Sequence, residues 1–203
     1  MIEIKNIFKS FGKSEVLHDI SAKFERGKTN LIIGQSGSGK TVLLKCLLGL
    51  YSFDQGELIY DNVYSSKMSD EEKMNIKKEM GMVFQGSALF DSLSVLENVR
   101  FPLDMLTNYS EKKKDEIALK FIERVNLNDA INKLPSEISG GMQKRVGIAR
   151  AIVLNPKYLF CDEPNSGLDP KTAIVIDNLI QEITKEYNIT TVINSHDMNS
   201  VIE

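Results

Sequence analysis

Two stretches near the start of the chain, residues 2–8 and 16–24, alternate apolar and polar side chains, with Phe11-Gly12-Lys13 between them. Successive strand side chains point to opposite faces, so this alternation predicts an antiparallel hairpin. Leu31-Ile32-Ile33 is a short apolar run that enters a glycine-rich loop, and residues 41–50 then switch to helical spacing. A further strand pair is expected near 57–60 and 81–84. Residues 69–79 mix both signs of charge, which predicts a solvated helix.

From about Gly86 to Leu154 the pattern is helical. Residues 110–125 set Ile117, Leu119, Phe121, Ile122 and Val125 among charges, the spacing of an amphipathic surface helix. Lys112–Lys114 fall in its first turn and are expected to form a solvated face. Beyond residue 156 strands return: a buried one over 157–163, a helix over 170–187 and another strand over 189–195. Strands alternating with helices imply a parallel sheet, and a helical insertion within it makes a second lobe. The expected organisation is one α/β domain over 1–203. Residues 1–85 and 155–203 form a β subdomain and the core, and residues 86–154 form the helical subdomain.

The 203 residues are 42% hydrophobic and 26% charged, enough to bury a core without disulfides. A formal charge of −3 argues against a nucleic-acid partner, which calls for a basic excess. Cys46 and Cys161 both sit in apolar stretches, as buried thiols do in a reducing compartment. No apolar run approaches the roughly 18–20 residues of a membrane span, and the N-terminus lacks the apolar region of a secretory signal. The expectation is a soluble, intracellular protein.

The chemistry begins at Gly34-Gln35-Ser36-Gly37-Ser38-Gly39-Lys40-Thr41. Successive amides in such a loop form an anion nest at a helix N-terminus, and the glycines permit the bends. This motif has Lys40 reach the β- and γ-phosphates of a nucleotide and Thr41 ligate Mg²⁺. It follows an apolar strand and opens an apolar helix, the context the motif requires. Further on, Tyr158–Cys161 runs into Asp162-Glu163. Carboxylates at the carboxyl end of a parallel strand face the ligand crevice. Asp162 is placed to hold Mg²⁺ through water, and Glu163 to accept a proton from an attacking water.

Ser139-Gly140-Gly141 precedes a strongly helical run. It reads either as an ordinary N-cap or as a second anion site with a hydroxyl and free amides. Ser166-Gly167-Leu168-Asp169 follows the acidic strand, and His196 beside Asp197 follows the last one. His18, in the first hairpin, is read as structural.

With these motifs in this order, nearly the whole chain resembles the ABC ATPases. The resemblance implies a P-loop NTPase (RecA-like) parallel-sheet core with an N-terminal antiparallel β subdomain and an inserted α-helical subdomain. It implies ATP and Mg²⁺ as ligands and ATP hydrolysis coupled to transport. Nucleotide binding falls to Phe11, which would stack on adenine, and to Val16, residues 34–41, Val42, Ser139, Gly140, Gly141 and Asp169. Gln85 and Asp162 join Thr41 near the metal, and Glu163, His196 and Gln85 are the implied catalytic set. ATP would be sandwiched between the phosphate loop of one subunit and Ser139 of another, which makes a head-to-tail homodimer. Its partner would be an integral-membrane permease, with the ATPase peripheral on the cytoplasmic face of the inner membrane.

Two departures from the family pattern stand out. Met142 occupies a position where the family has glutamine, with Gln143 one residue on. Family members also continue past a point equivalent to Glu203, so the resemblance implies a truncated C-terminal end. Residues 85–103 together with Ser139–Met142 are similar to the branch serving MCE-protein, Mla-type lipid transporters. This points to phospholipid as cargo and an MCE-type lipid-binding protein as a further partner. A regulatory or remodelling ABC protein is the alternative. Gly86–Leu103 is the expected permease surface, with Phe90 or Leu93 lining a cleft for a short permease helix.

Overall fold

The computed structural model describes residues 1–195; His196 lies outside the described residues. The hairpin forms as β1 (Ile2–Phe11) and β2 (Ser14–Phe24), joined at Gly12-Lys13. β1 pairs on its other side with β4 (Gln55–Tyr60), which pairs with β5 (Val63–Tyr64), so this antiparallel sheet runs β2-β1-β4-β5. The second sheet is parallel, in the order β3-β8-β7-β6, and contains β3 (Thr29–Ile33), β6 (Met80–Val83), β7 (Tyr158–Asp162) and β8 (Thr190–Ser195).

The strands near 57–60 and 81–84 exist but do not pair with each other. β4 lies against β1, while β6 lies beside β7 in the other sheet. Both runs are short and apolar, and nothing in such a run records which distant strand it will meet.

β7 is buried on both faces, which explains its unbroken apolar run. Tyr158 and Phe160 enter a core shared with the antiparallel sheet and α1 (Lys40–Leu47). Leu159 and Cys161 enter the opposite core. That second core is filled from α3 (Val95–Leu106), α4 (Glu111–Arg124), α5 (Gly140–Ile152) and α6 (Pro170–Glu186). Burial pushes both the Cys46 and the Cys161 thiols up, so both stay protonated and inert. Among the described residues no helix is long and apolar enough to cross a membrane.

The charged helix at 69–79 is α2 (Asp70–Lys78), with no buried residue and a capping box between Ser69 and Glu72. α4 departs from expectation at one lysine. Lys114 is buried rather than solvated, because its ammonium is held by Glu111 at 2.9 Å and Asp104 at 3.1 Å. Arg100 of α3 adds Asp115 at 2.8 Å, so the two helices are joined by a charge network. His18 is exposed, bonded to Glu15 and edge-on to Phe8.

Candidate nucleotide site

The parallel sheet brings the chemical motifs to one edge. The glycine-rich loop leaves β3, Gln85 lies two residues past β6, and Asp162-Glu163 closes β7. In the ladder Ile33 faces Ser195, Asn194 faces Asp162, and Cys161 faces Val83. Residues separated by up to 121 positions in sequence are thereby placed at hydrogen-bond range.

The loop is shaped to approach its neighbours closely. Gly39 caps α1 at φ 93°, a conformation that residues with a Cβ rarely adopt. A Cβ there would lie 2.9 Å from the Val16 carbonyl and 3.1 Å from a Val16 methyl. Val16 therefore packs on the phosphate loop itself, which brings the hairpin to the site. The Lys40 ammonium donates to the Gly34 carbonyl at 2.7 Å and the Gln35 carbonyl at 2.9 Å, so it is folded back over the loop. Phe11 is exposed, meets Tyr51 edge-on at 5.5 Å between centroids, and has the Lys9 ammonium 5.2 Å from its ring centre.

Thr41 Oγ1 donates to Asp162 Oδ1 at 3.2 Å, and Asn194 Nδ2 donates to the same oxygen at 3.2 Å. A hydroxyl and a carboxylate are hard oxygen donors, the type Mg²⁺ takes alongside phosphate and water. No group of three His, Cys, Asp or Glu side chains able to hold a metal occurs among the described residues. This pair thus fits Mg²⁺ shared with a nucleotide and does not form an all-protein cage. Gln85 Nε2 donates to Glu163 Oε2 at 3.0 Å. Glu163 has a φ of 47°, unusual for a residue with a Cβ, and its amide bonds the Asn194 carbonyl at 3.1 Å.

Ser139 is the N-cap of α5, its Oγ accepting from the Met142 amide at 3.3 Å. The N-cap reading is the one the structure shows, and Ser139 and Gly140 are both exposed. A Cβ at Gly141 would meet the Thr172 methyl at 2.6 Å, so that glycine permits contact between the starts of α5 and α6. Asp169 caps α6 through the Lys171 and Thr172 amides at 3.1 Å each, and the Thr172 hydroxyl bond helps hold its carboxyl low. Gln143 does not stand in for the displaced glutamine, since its amide donates to the Pro135 carbonyl at 2.9 Å.

Sequence reasoning missed three polar contributors. Asn194 holds Asp162, the Lys144 ammonium reaches the Gln85 carbonyl, and Arg150 holds the next turn of the same loop. Burial pushes the Lys144 ammonium down while Glu163 pulls it back up. A signal was present, since Lys144, Gly147 and Arg150 share a helix face at spacing three.

A family model described as ABC transporter matches residues 17–166. The chain is 37% identical over 201 residues to the methionine import ATP-binding protein of Clostridioides difficile, covering 99% of this chain and 62% of that one. It is 38% identical over 202 residues to the intermembrane phospholipid transport system ATP-binding protein of Haemophilus influenzae, covering 100% of this chain and 76% of that one. It thus spans about three fifths of the length of the methionine relative. Among solved structures, it is similar to a dimeric ATP-binding cassette in a post-hydrolysis state bound to ADP and Pi. The TM-score is 0.85 at 32% identity, over 98% of this chain and 90% of that one.

Proposed function

The chain belongs to the ABC transporter family, and from that premise we propose that it is the ATP-binding, ATP-hydrolysing subunit of a transporter whose cargo is phospholipid. The observation that carries the ATPase reading is the convergence of Lys40, Thr41, Asp162, Gln85 and Glu163 at the carboxyl ends of parallel strands. Lys40 exchanges its loop carbonyls for the β- and γ-phosphates. Thr41 and Asp162 would hold Mg²⁺, which supplies charge neutralisation on the phosphates. Glu163 accepts a proton from the water that attacks the γ-phosphorus, and Gln85 orients that water and the carboxylate together. The bond from the γ-phosphorus to its bridging oxygen breaks, releasing ADP and phosphate. His196 completes the proposed set as a γ-phosphate contact.

Ser139 and Gly140 are exposed at a helix start, a free anion site. In the proposed homodimer they close over the partner's ATP. An apolar groove beside Phe90 takes a permease helix, which makes the chain a peripheral subunit on the cytoplasmic side of the inner membrane. Support for phospholipid as cargo comes from the similarity of residues 85–103 and of Ser139–Met142 to the lipid-transport branch. The phospholipid-transport relative from Haemophilus influenzae adds to it. An MCE-type lipid-binding protein is then the further partner.

The test is reconstitution of the subunit with its permease in liposomes, supplied with ATP and either labelled phospholipid or labelled methionine. ATP-dependent movement of phospholipid supports the reading. Movement of methionine instead would replace the cargo and leave the motor, and an absence of ATP hydrolysis would remove the motor itself.

A further inference from the structure

The turn at Gln85–Ala88 is held in an unusual way. Ser87 and Ala88 are consecutive residues with a Cβ at positive φ, 60° and 46°. Such conformations persist only where surrounding contacts over-determine them. Here the contacts come from a single face of α5. Lys144 donates to the Gln85 carbonyl. Arg150 donates to the Ser87 carbonyl at 2.7 Å and to the Ala88 carbonyl at 2.8 Å. Between them Gly147 lies against Ser87, whose carbonyl would stand in ordinary contact, 3.6 Å, with a Cβ there. Lys144 is 5% exposed and Ser87 3%.

A buried lysine and a half-buried arginine spent on backbone carbonyls are a costly way to shape a surface turn, because a buried charge needs strong partners. What they define is the origin of the Gln85 side chain, whose amide reaches Glu163. The same helix begins at Ser139.

We propose that Lys144 and Arg150 are positioning residues for hydrolysis. They fix Gln85 against Glu163, and they make α5 a rigid link from Ser139 to the Gln85–Glu163 pair of the same subunit. The inference rests on the ATPase reading above. An anion gripped at Ser139 then bears directly on the placement of Gln85, because one helix carries both contacts.

The test is a double-mutant cycle in the full chain, with ATP turnover at saturating ATP and nucleotide affinity measured separately. Lys144→Met should lower kcat roughly tenfold or more, the worth of one charge-assisted hydrogen bond. Nucleotide affinity should stay within about threefold, and Lys144→Arg should recover most of the loss, since it keeps a cationic donor. Once Gln85→Ala is present, adding Lys144→Met should cost less than about twofold more, because both changes disable one unit. Independent, multiplying losses would overturn the proposal, as would affinity and kcat falling together. If Lys144→Met does not fold, Arg150→Lys runs the same cycle, exchanging a two-pronged donor for a single ammonium. A wild-type chain that fails to hydrolyse ATP would overturn the ATPase reading; multiplying losses in an active enzyme would overturn only the positioning role.

Discussion

Gln85 donates its side-chain amide to Glu163 across 3.0 Å, and the two residues hold equivalent places just beyond the ends of adjacent strands. Val83 faces Cys161 in the parallel ladder, so each residue lies two positions beyond a matched pair. Register therefore starts both side chains toward one point above the sheet, and the contacts of Lys144 and Arg150 hold the turn that carries the amide. Neither needs a long side-chain reach, and Glu163 is held further by its own strained backbone.

That geometry makes Glu163 separable from binding. Glu163→Gln keeps the shape and the amide contact but removes the proton acceptor. Turnover should fall roughly 10²–10⁴-fold while ATP affinity holds. With hydrolysis blocked, ATP should also hold the chain as a dimer, read by light scattering. Hydrolysis near the wild-type rate would take Glu163 out of the mechanism.

The phosphate loop and the proposed anion site at Ser139 should separate by mutation as well. Lys40→Ala removes the loop's cation, so nucleotide affinity of the subunit carrying it should drop at least roughly tenfold. Ser139→Arg leaves the phosphate loop untouched and places a bulky cation at the exposed start of α5. Isolated Ser139→Arg monomers should bind ATP normally by calorimetry yet fail to dimerise on it. Loss of monomer affinity would contradict the sandwich arrangement.

Gly39 supplies a stability test. Its φ of 93° and the Val16 carbonyl 2.9 Å from a Cβ leave alanine strained and crowded. Gly39→Ala should cost about 1–3 kcal/mol from the backbone alone. For a chain of this length that lowers the melting temperature by about 2–4 °C per kcal/mol. The Val16 contact lies on the nucleotide loop, so ATP affinity should fall too. An unchanged melting temperature would mean that the hairpin does not bear on the loop.

Most of the site was legible because its signals are local. Gly34–Thr41 carries its own loop chemistry, and the apolar run before Asp162-Glu163 announces a buried strand with an acidic end. What local pattern could not carry was pairing at a distance. The β4 and β6 runs look alike, yet one joins each sheet, a choice made by packing on β1 and β7. Lys114 looked solvated because its second partner, Asp104, is ten positions away on another helix. Lys144 and Arg150 were overlooked for the same reason, their acceptors being backbone carbonyls of a loop about 60 residues earlier.

Phe90 or Leu93 was expected to line a cleft, and it is Phe90 that lines one. It joins Met82, Phe84, Phe101, Pro102, Leu106 and Arg150 around a groove of about 280 Å³. Leu93 is drawn instead into the loop anchor, its carbonyl accepting at 2.9 Å from Asn98, a fully buried side chain that also grips Phe90 and Ser94. The groove is thus a shaped feature, and its rim leaves large apolar surface in water, with Leu106 50% and Phe90 42% exposed. An amphipathic partner helix would cover such a surface with its apolar face. Leu106 is remote in sequence from every residue assigned to nucleotide chemistry and sits at the end of α3, where a charge can reach solvent in the free chain. Leu106→Glu should therefore keep basal ATP hydrolysis and melting temperature close to wild type. Seated under an apolar helix, the same carboxylate would be stripped of water, which costs several kcal/mol. Permease capture should fall by more than tenfold, measured by pull-down alongside ATPase activity. Undiminished capture by a folded Leu106→Glu chain would move the permease contact off this groove.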